Sequence, residues 1–436
     1  MTSKRWTLVE HGEPIEIVAS MVEASSLSRS RVLELLHIAG DRVAKALGFS
    51  QSPLLIHGNT VKAVDFAGLL RVAPGLEIEI VPKFLGGHEA GWREDFFFLA
   101  MLSRHGRLLA SDRLRALTSP TSDLATLIAR ALIQMFWEHH RRPIRTYRKR
   151  MTFEFAIEGD VEAEELRVPD PEGFRQEIVR YDRSNEFNAV IKAAVLALLR
   201  LVRDPETLAM LQRISHLLGE QSAVRSLQAR RLPSRARNWQ ATYELALDVL
   251  RGFGLTFNGG SAVAPGFVLD TWRVWEDLLT ISMRSVLGGE SALAQKAYPL
   301  GSRRRSDGNS WFPDRTVLVR PDLTLQGAAH GFGVLLVDAK YKGRIDKGRQ
   351  RIVESDLYES LAFAAASNTQ QVALLYPRLA SEPRQPVGST SFLEHVNAGG
   401  CDVWGLEAEV RGISKSGGLR NFSEQLFNSL KTSAAW

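Results

Sequence analysis

Apolar residues recur along this chain with two periods, and each predicts a different element. Helical spacing runs through Arg31–Leu47 and stops at Gly48. It returns in Phe96–Leu102, Leu124–His140, Asn188–Val202, Tyr243–Arg251, Thr271–Val286 and about Ser355–Ala366. Alternation of apolar and polar residues marks strands instead. It is clearest in Leu76–Val81, which enters from the turn Pro74-Gly75 and ends at Pro82-Lys83. There Glu77 and Glu79 predict one packed face and one wet face. Met151–Ile157 alternates likewise and ends at Glu158-Gly159-Asp160. Two short apolar runs, Gly331–Val337 and Gln371–Pro377, have the character of buried strands, and Leu323-Thr324-Leu325 begins another.

Strand-like and helical stretches mix through the first part of the chain, an α+β pattern. Small and turn-forming residues then gather at Phe257–Pro265 and predict a boundary, dividing the chain into 1–258 and 259–436. Past it the order is helix, strands, helix, strand. That order is α/β and predicts a compact core with a mixed sheet flanked by helices.

The second region carries the candidate chemistry. Pro321-Asp322 opens one predicted strand, and Asp338-Ala339-Lys340 leaves the end of the next. Lys340 follows Asp338 at i+2, so in a strand both point to one face. Two carboxylates at the ends of paired strands suit Mg²⁺, which prefers hard oxygen ligands, and the Ala339 carbonyl can add a third. A lysine beside them can position a water or stabilise charge building on a phosphate. The arrangement resembles the PD-(D/E)xK nuclease signature, with Asp322 and Asp338 as metal ligands and Lys340 as the third catalytic group. Glu276, on the preceding helix, either approaches the metal site or is a helix-surface glutamate.

Composition narrows the partners. The 436 residues carry a formal net charge of +6, which favours polyanions without proving them. Basic residues cluster at Arg141–Arg150, Arg225–Arg237, Arg303-Arg304-Arg305 and Lys342–Arg351. The last two clusters flank the acids, as a channel for a phosphate backbone would; Arg303, Arg304, Arg305, Lys342 and Arg344 are the expected nucleic-acid contacts. Tyr358 is expected to touch a phosphate or pack on the sheet, and Asp356 to pair with a basic neighbour such as Lys342 or to cap its helix. The single cysteine, Cys401, excludes a disulfide framework and a cysteine zinc site, which suits the cytoplasm. No segment approaches the roughly 20 apolar residues of a membrane span, and the N-terminus lacks a signal-like apolar run.

The order of short motifs resembles the McrC family, the nuclease subunit of McrBC-type modified-cytosine restriction systems. Leu76–Lys83 resembles its I-x-PK segment. Arg145-Thr146-Tyr147 with Glu154 and the Ile157-Glu158-Gly159 turn resembles its R-x-Y…E…L-R-G segment. Tyr181-Asp182 with Asn185 and Asn188 resembles its D-x-x-x-N helix start. Trp275-Glu276, Pro321-Asp322, Asp338–Tyr341, Asp356-Leu357-Tyr358 and Leu374–Pro377 then follow in family order. Two positions depart from it. Glu359 stands where the family often has Gln, and Ile157–Asp160 carries acids where the family has arginines.

The resemblance implies a division of labour. The region 1–258 would dock on a hexameric AAA+ motor, McrB-like, that hydrolyses GTP and translocates DNA, and 259–436 would cut DNA with Mg²⁺. The chain has no G-x-x-x-x-G-K-[ST] loop, so the motor would be a separate chain. Two other readings stay open: a non-cleaving subunit that activates a partner NTPase, and a stand-alone DNA repair nuclease.

Overall fold

The computed structural model describes residues 4–73, 75–87, 91–105, 124–164, 166–167, 170–252, 266–308, 310–328, 331–342, 344–346 and 349–434. The predicted linker Phe257–Pro265 lies outside the described residues. The chain forms two compact units. Met1–Thr121 joins Val268–Trp436 in one, and Ser122–Phe267 makes the other. The expected division at 258/259 falls near the second crossing between them. The first crossing, near Thr121, has no signal in the periodicity.

The first unit begins with β1 (Lys4–Val9), β2 (Ile15–Glu16), α1 (Val18–Ser25), α2 (Arg29–Leu47), β3 (Leu54–His57), β4 (Thr60–Ala63), β5 (Phe66–Ala73), β6 (Leu76–Val81) and α3 (Trp92–His105). Ser28 caps α2 by accepting from the Arg31 amide, and Gly48 ends it with a positive φ of 79°. The alternation of β6 does not produce a wet face. Every residue of β6 is buried. Glu77 is neutralised by Arg5 at 3.0 Å and Arg71 at 3.3 Å, and Glu79 by Arg93 at 2.6 Å. Buried carboxylates persist when guanidinium groups pair with them.

The second unit comprises α4 (Leu124–His139), β7 (Thr146–Glu154), β8 (Asp160–Val161), β9 (Phe174–Asp182), α5 (Glu186–Leu199), α6 (Pro205–Leu218), a 3₁₀ turn at Ser234–Trp239 and α7 (Gln240–Gly252). Its three-stranded sheet has the order β7-β9-β8. Asn185 and Asn188 are structural here. Asn185 caps α5, and the Asn188 side chain donates to the carbonyls of Ile144 and Arg183.

The first unit resumes within β10 (Gly266–Asp270) and continues with α8 (Thr271–Leu287), β11 (Ala292–Ala294), β12 (Tyr298–Ser306), β13 (Trp311–Val319), β14 (Leu323–Gln326), β15 (Val334–Ala339), β16 (Arg344–Asp346), β17 (Arg349–Arg351), α9 (Glu354–Ser367), β18 (Gln371–Pro377), β19 (Thr390–Ala398), β20 (Cys401–Ala408) and α10 (Gly418–Ala434). The N-terminal sheet has the order β1-β6-β5-β10, so the strand that opens the C-terminal segment closes a sheet begun by the first residues. The main sheet runs β11-β14-β15-β18-β20-β19. It is mixed: β15 is parallel to β18 and β18 to β20, while β14 is antiparallel to β15. Leu336, Phe363, Val372, Leu374, Tyr376 and Val403 pack together on it. Truncating Leu336 or Leu374 to alanine would cost about 2–5 kcal/mol.

Candidate active site

Strand register assembles the centre of the site. Leu323 pairs with Val337 across β14 and β15, which sets Asp322, one residue before β14, beside Asp338 near the end of β15. The Ala339 amide donates to Asp322 Oδ2 at 2.7 Å. Lys340 Nζ lies 2.6 Å from Asp338 Oδ2, on the face that i+2 spacing predicts. The same ammonium reaches Glu359 Oε2 of α9 at 2.6 Å and Asp356 Oδ1 at 3.7 Å. The unexpected acid Glu359 is thus a partner of Lys340. Asp356 also accepts from the Tyr376 hydroxyl at 3.2 Å; its basic neighbour is Lys340 rather than Lys342, and α9 is capped at Val353 without a side-chain bond.

A residue missed by sequence reasoning closes the acidic side. Gln295 follows β11 with a φ of 52°. Its Nε2 donates to Asp322 Oδ1 at 2.7 Å and to Glu276 Oε1 at 2.9 Å. Glu276 is therefore tied to the acid pair through Gln295. Its neighbour Trp275 is buried, and Trp275 Nε1 donates to the Leu375 carbonyl at 3.0 Å, which fixes this turn of α8 against β18.

The electrostatics follow from burial. Burial and the neighbouring Asp322 push Asp338 up to about 7. Burial, then Glu276, raises Asp322 as well. Burial also raises Glu276, against the Gln295 hydrogen bond. Burial opposes the charge on Lys340, but Asp338 and Glu359 outweigh it and hold the lysine above its ordinary value. Carboxylates crowded in a dry site resist ionising together, and a divalent cation would relieve that repulsion. Asp322, Asp338 and the Ala339 carbonyl offer the oxygen donors Mg²⁺ prefers, so the residues fit the expected ion.

A second buried network braces the strand beyond Lys340. The Tyr341 hydroxyl donates to Glu10 Oε2 at 2.5 Å, and Thr271 Oγ1 donates to Glu10 Oε1 at 2.5 Å. Lys83, the lysine of Pro82-Lys83, donates to the Tyr341 carbonyl and sits over its ring at 4.2 Å. Burial depresses Lys83 to about 8 despite Glu10 and Asp65. Among the described residues Glu10, His11 and Asp65 place potential metal donors within 4.8 Å of one another. Thr271, Tyr341 and Lys342 already occupy these carboxylates.

The expected nucleic-acid residues lie on several elements. Arg303, Arg304 and Arg305 lie on β12, and all three are exposed. Lys342 pairs with Asp65 at 2.8 Å. Arg344 opens the β16–β17 hairpin opposite Arg351. Tyr358 is 65% exposed on α9, so it does not pack on the sheet.

The profile of a family described as McrBC 5-methylcytosine restriction system component matches residues 61–377. The chain belongs to that family. The stretch matched as a McrBC component contains Lys83, Glu276, Gln295, Asp322, Asp338, Lys340 and Glu359, and the family agrees with the order of the sequence motifs. No curated protein matches the chain. Among solved structures, a chain of "Refined half-complex from tetradecameric assembly of Thermococcus gammatolerans McrB AAA+ hexamers with bound McrC" has a TM-score of 0.67 at 15% identity. The match covers 98% of this chain and 100% of that one. A chain of the cryo-EM structure of the Thermococcus gammatolerans McrBC complex has a TM-score of 0.47 at 16% identity, over 63% of this chain and 85% of that one. The first likeness is one of fold, and it agrees with the mixed α/β architecture.

Proposed function

We propose that this McrBC component is a Mg²⁺-dependent DNA endonuclease subunit, cutting DNA, methylated or plain, that a separate McrB-like AAA+ GTPase delivers to it, and that it stimulates that motor. The observation that carries the reading is the meeting of Asp322, Asp338 and Lys340 at the ends of two paired strands inside a mixed sheet. Asp322, Asp338 and the Ala339 carbonyl would hold the ion. Bound Mg²⁺ would supply positive charge to the phosphate as negative charge develops on it.

The chain's own residues divide the remaining work. Lys340, paired with Asp338 and Glu359, serves as a cation and hydrogen-bond donor to phosphate oxygen. Gln295 holds Asp322 and Glu276 in fixed orientation. Glu276 orients water on the acidic side. Arg303, Arg304, Arg305, Lys342, Arg344 and Tyr358 supply contacts to DNA around the centre.

Docking on the motor falls to the region before residue 258. Its β7-β9-β8 sheet, with the connection from β7 to β8, leaves Tyr147, Phe155, Ile157 and Val179 more than half exposed, the kind of apolar surface that marks a protein contact. Among the described residues no helix is long and apolar enough to cross a membrane, and a free buried Cys401 suits action in the cytoplasm.

The test is Asp338→Ala in a complex reconstituted with the motor. DNA cleavage should be lost while assembly and stimulated GTP hydrolysis persist. Undiminished cutting by this variant would rule out the nuclease assignment.

A further inference from the structure

The β12–β13 pair forms a sheet of its own, bonded to no other strand among the described residues. It is nevertheless rooted at the site. β12 begins three residues after Gln295, and β13 ends three residues before Asp322, and those two flanking side chains are 2.7 Å apart. At the root, Tyr298 donates to Thr324 Oγ1 at 3.1 Å, and Tyr298 and Val319 pack against the core. Further out the ribbon is exposed on both faces. Trp311 is 69% and Phe312 51% exposed, beside the arginines of β12. An isolated two-stranded ribbon is marginal in water, and exposed aromatic rings add nothing to its stability.

Its charges do not serve folding either. Arg303 stands directly opposite Arg315, and Arg305 opposite Phe312. Like charges facing across a strand pair destabilise it. Among the described residues, none of Arg303, Arg304, Arg305 and Arg315 forms an ion pair. From residue 298 to 320 there are five arginines and two aspartates. That excess repels a second copy of the same ribbon and attracts a polyanion. A two-stranded β-ribbon also has the width that a DNA major groove admits, about 12 Å.

We propose that the β12–β13 ribbon is a DNA-binding arm that lies in a groove of the duplex. Arg303, Arg304, Arg305 and Arg315 contact phosphates, and Trp311 and Phe312 make apolar contact near the outer end. The inference rests on the nuclease reading and deepens it. Because both strands run directly into residues of the acid centre, an occupied arm would set which phosphate meets Asp322 and Asp338.

The experiment measures binding of the full chain to a fluorescein-labelled duplex in EDTA, by anisotropy, over a series of salt concentrations. No cutting occurs there, so the arm can fail while the nuclease reading stands, and Asp338→Ala tests the latter separately. Replacing Arg303, Arg304 and Arg305 together by alanine should weaken binding at least tenfold at low salt. It should also lower the slope of log K against log salt by about 2–3, near 0.9 for each phosphate that is no longer neutralised. The triple Arg→Lys variant should restore most of the slope. Trp311→Ala should weaken binding with the slope kept. Unchanged affinity and slope in the triple alanine variant would overturn the proposal. So would a fall in the mass of the chain in light scattering with DNA binding intact, which would make the arm a contact between copies.

Discussion

Lys83 donates its ammonium to the backbone carbonyl of Tyr341, 258 positions further along the chain. The residue before that carbonyl is Lys340. The end of the N-terminal sheet therefore fixes the backbone that carries the site's lysine. Placement errors of about 1 Å at a catalytic group can cost about 10²-fold in rate. Lys83→Met, which keeps the stem and drops the donor, should lower cleavage by one to two orders of magnitude. Stimulation of the motor should be unchanged. Measuring both rates in the reconstituted complex separates this from misfolding, which would lower the two together.

Gln295 holds two acids with one amide. Removing it in Gln295→Ala leaves Asp322 and Glu276 without their shared donor. Loss of such an outer partner typically weakens metal binding about 10- to 100-fold. The Mg²⁺ concentration for half-maximal cleavage should rise by that factor, with saturating metal recovering much of the rate. A Mg²⁺ dependence identical to wild type would show that Gln295 has no orienting role.

Glu359 is the acid that stands where the family often has glutamine. Its Oε2 is 2.6 Å from Lys340 Nζ, an acceptor role that the oxygen of a glutamine can fill. Glu359→Gln should keep cleavage within a few-fold of wild type. Glu359→Ala, which removes the acceptor, should lower it by about tenfold or more, because Lys340 then loses its close partner on α9 and keeps only Asp356 there, at 3.7 Å. Equal losses in the two variants would instead show that the charge of Glu359 is what matters.

Asp65 gives a pH dependence with a definite sign. Burial pulls its pKa up, but the hydrogen bonds from His11 and Lys342 outweigh this and hold it at about 2. The folded value lies below the unfolded one of 3.8, so the stabilisation is complete above that value. It is lost as pH falls through 2. Screening at this partly exposed site leaves roughly 1–2 kcal/mol at neutral pH. Asp65→Asn should therefore melt earlier than wild type at pH 7, with the gap closing between pH 4 and 2. A gap independent of pH would contradict the assignment.

Much of this was legible in the chain. Alternation and apolar runs located β6, β15 and β18, and helical spacing located α2, α4, α5 and α8, because burial is periodic in those elements. The i+2 spacing of Asp338 and Lys340 put both on one face, where they are found. Other features left no local trace. Gln295 follows a three-residue strand, too short for a period. Arg303-Arg304-Arg305 has no apolar alternation because both faces of its strand meet water, so periodicity gave no sign of the strand. Glu77 and Glu79 suggested a wet face because their neutralising arginines lie far along the chain or on other elements. The strands β19 and β20 and the helix α10 follow the last motif and carried no chemical signal.

The brace between Glu10 and Tyr341 spans 331 positions, which ties the site to the order in which the chain is synthesised. The first strand leaves the ribosome long before its partners exist, and contacts of such long sequence separation form late in folding. A nascent chain that stops before Asp338 lacks an acid. A fragment that begins after Lys83 has the acids but lacks the residues that hold the strand beside them. A chain must therefore carry both ends of this brace, Glu10 and Tyr341, to hold the strand of Asp338 and Lys340 in place.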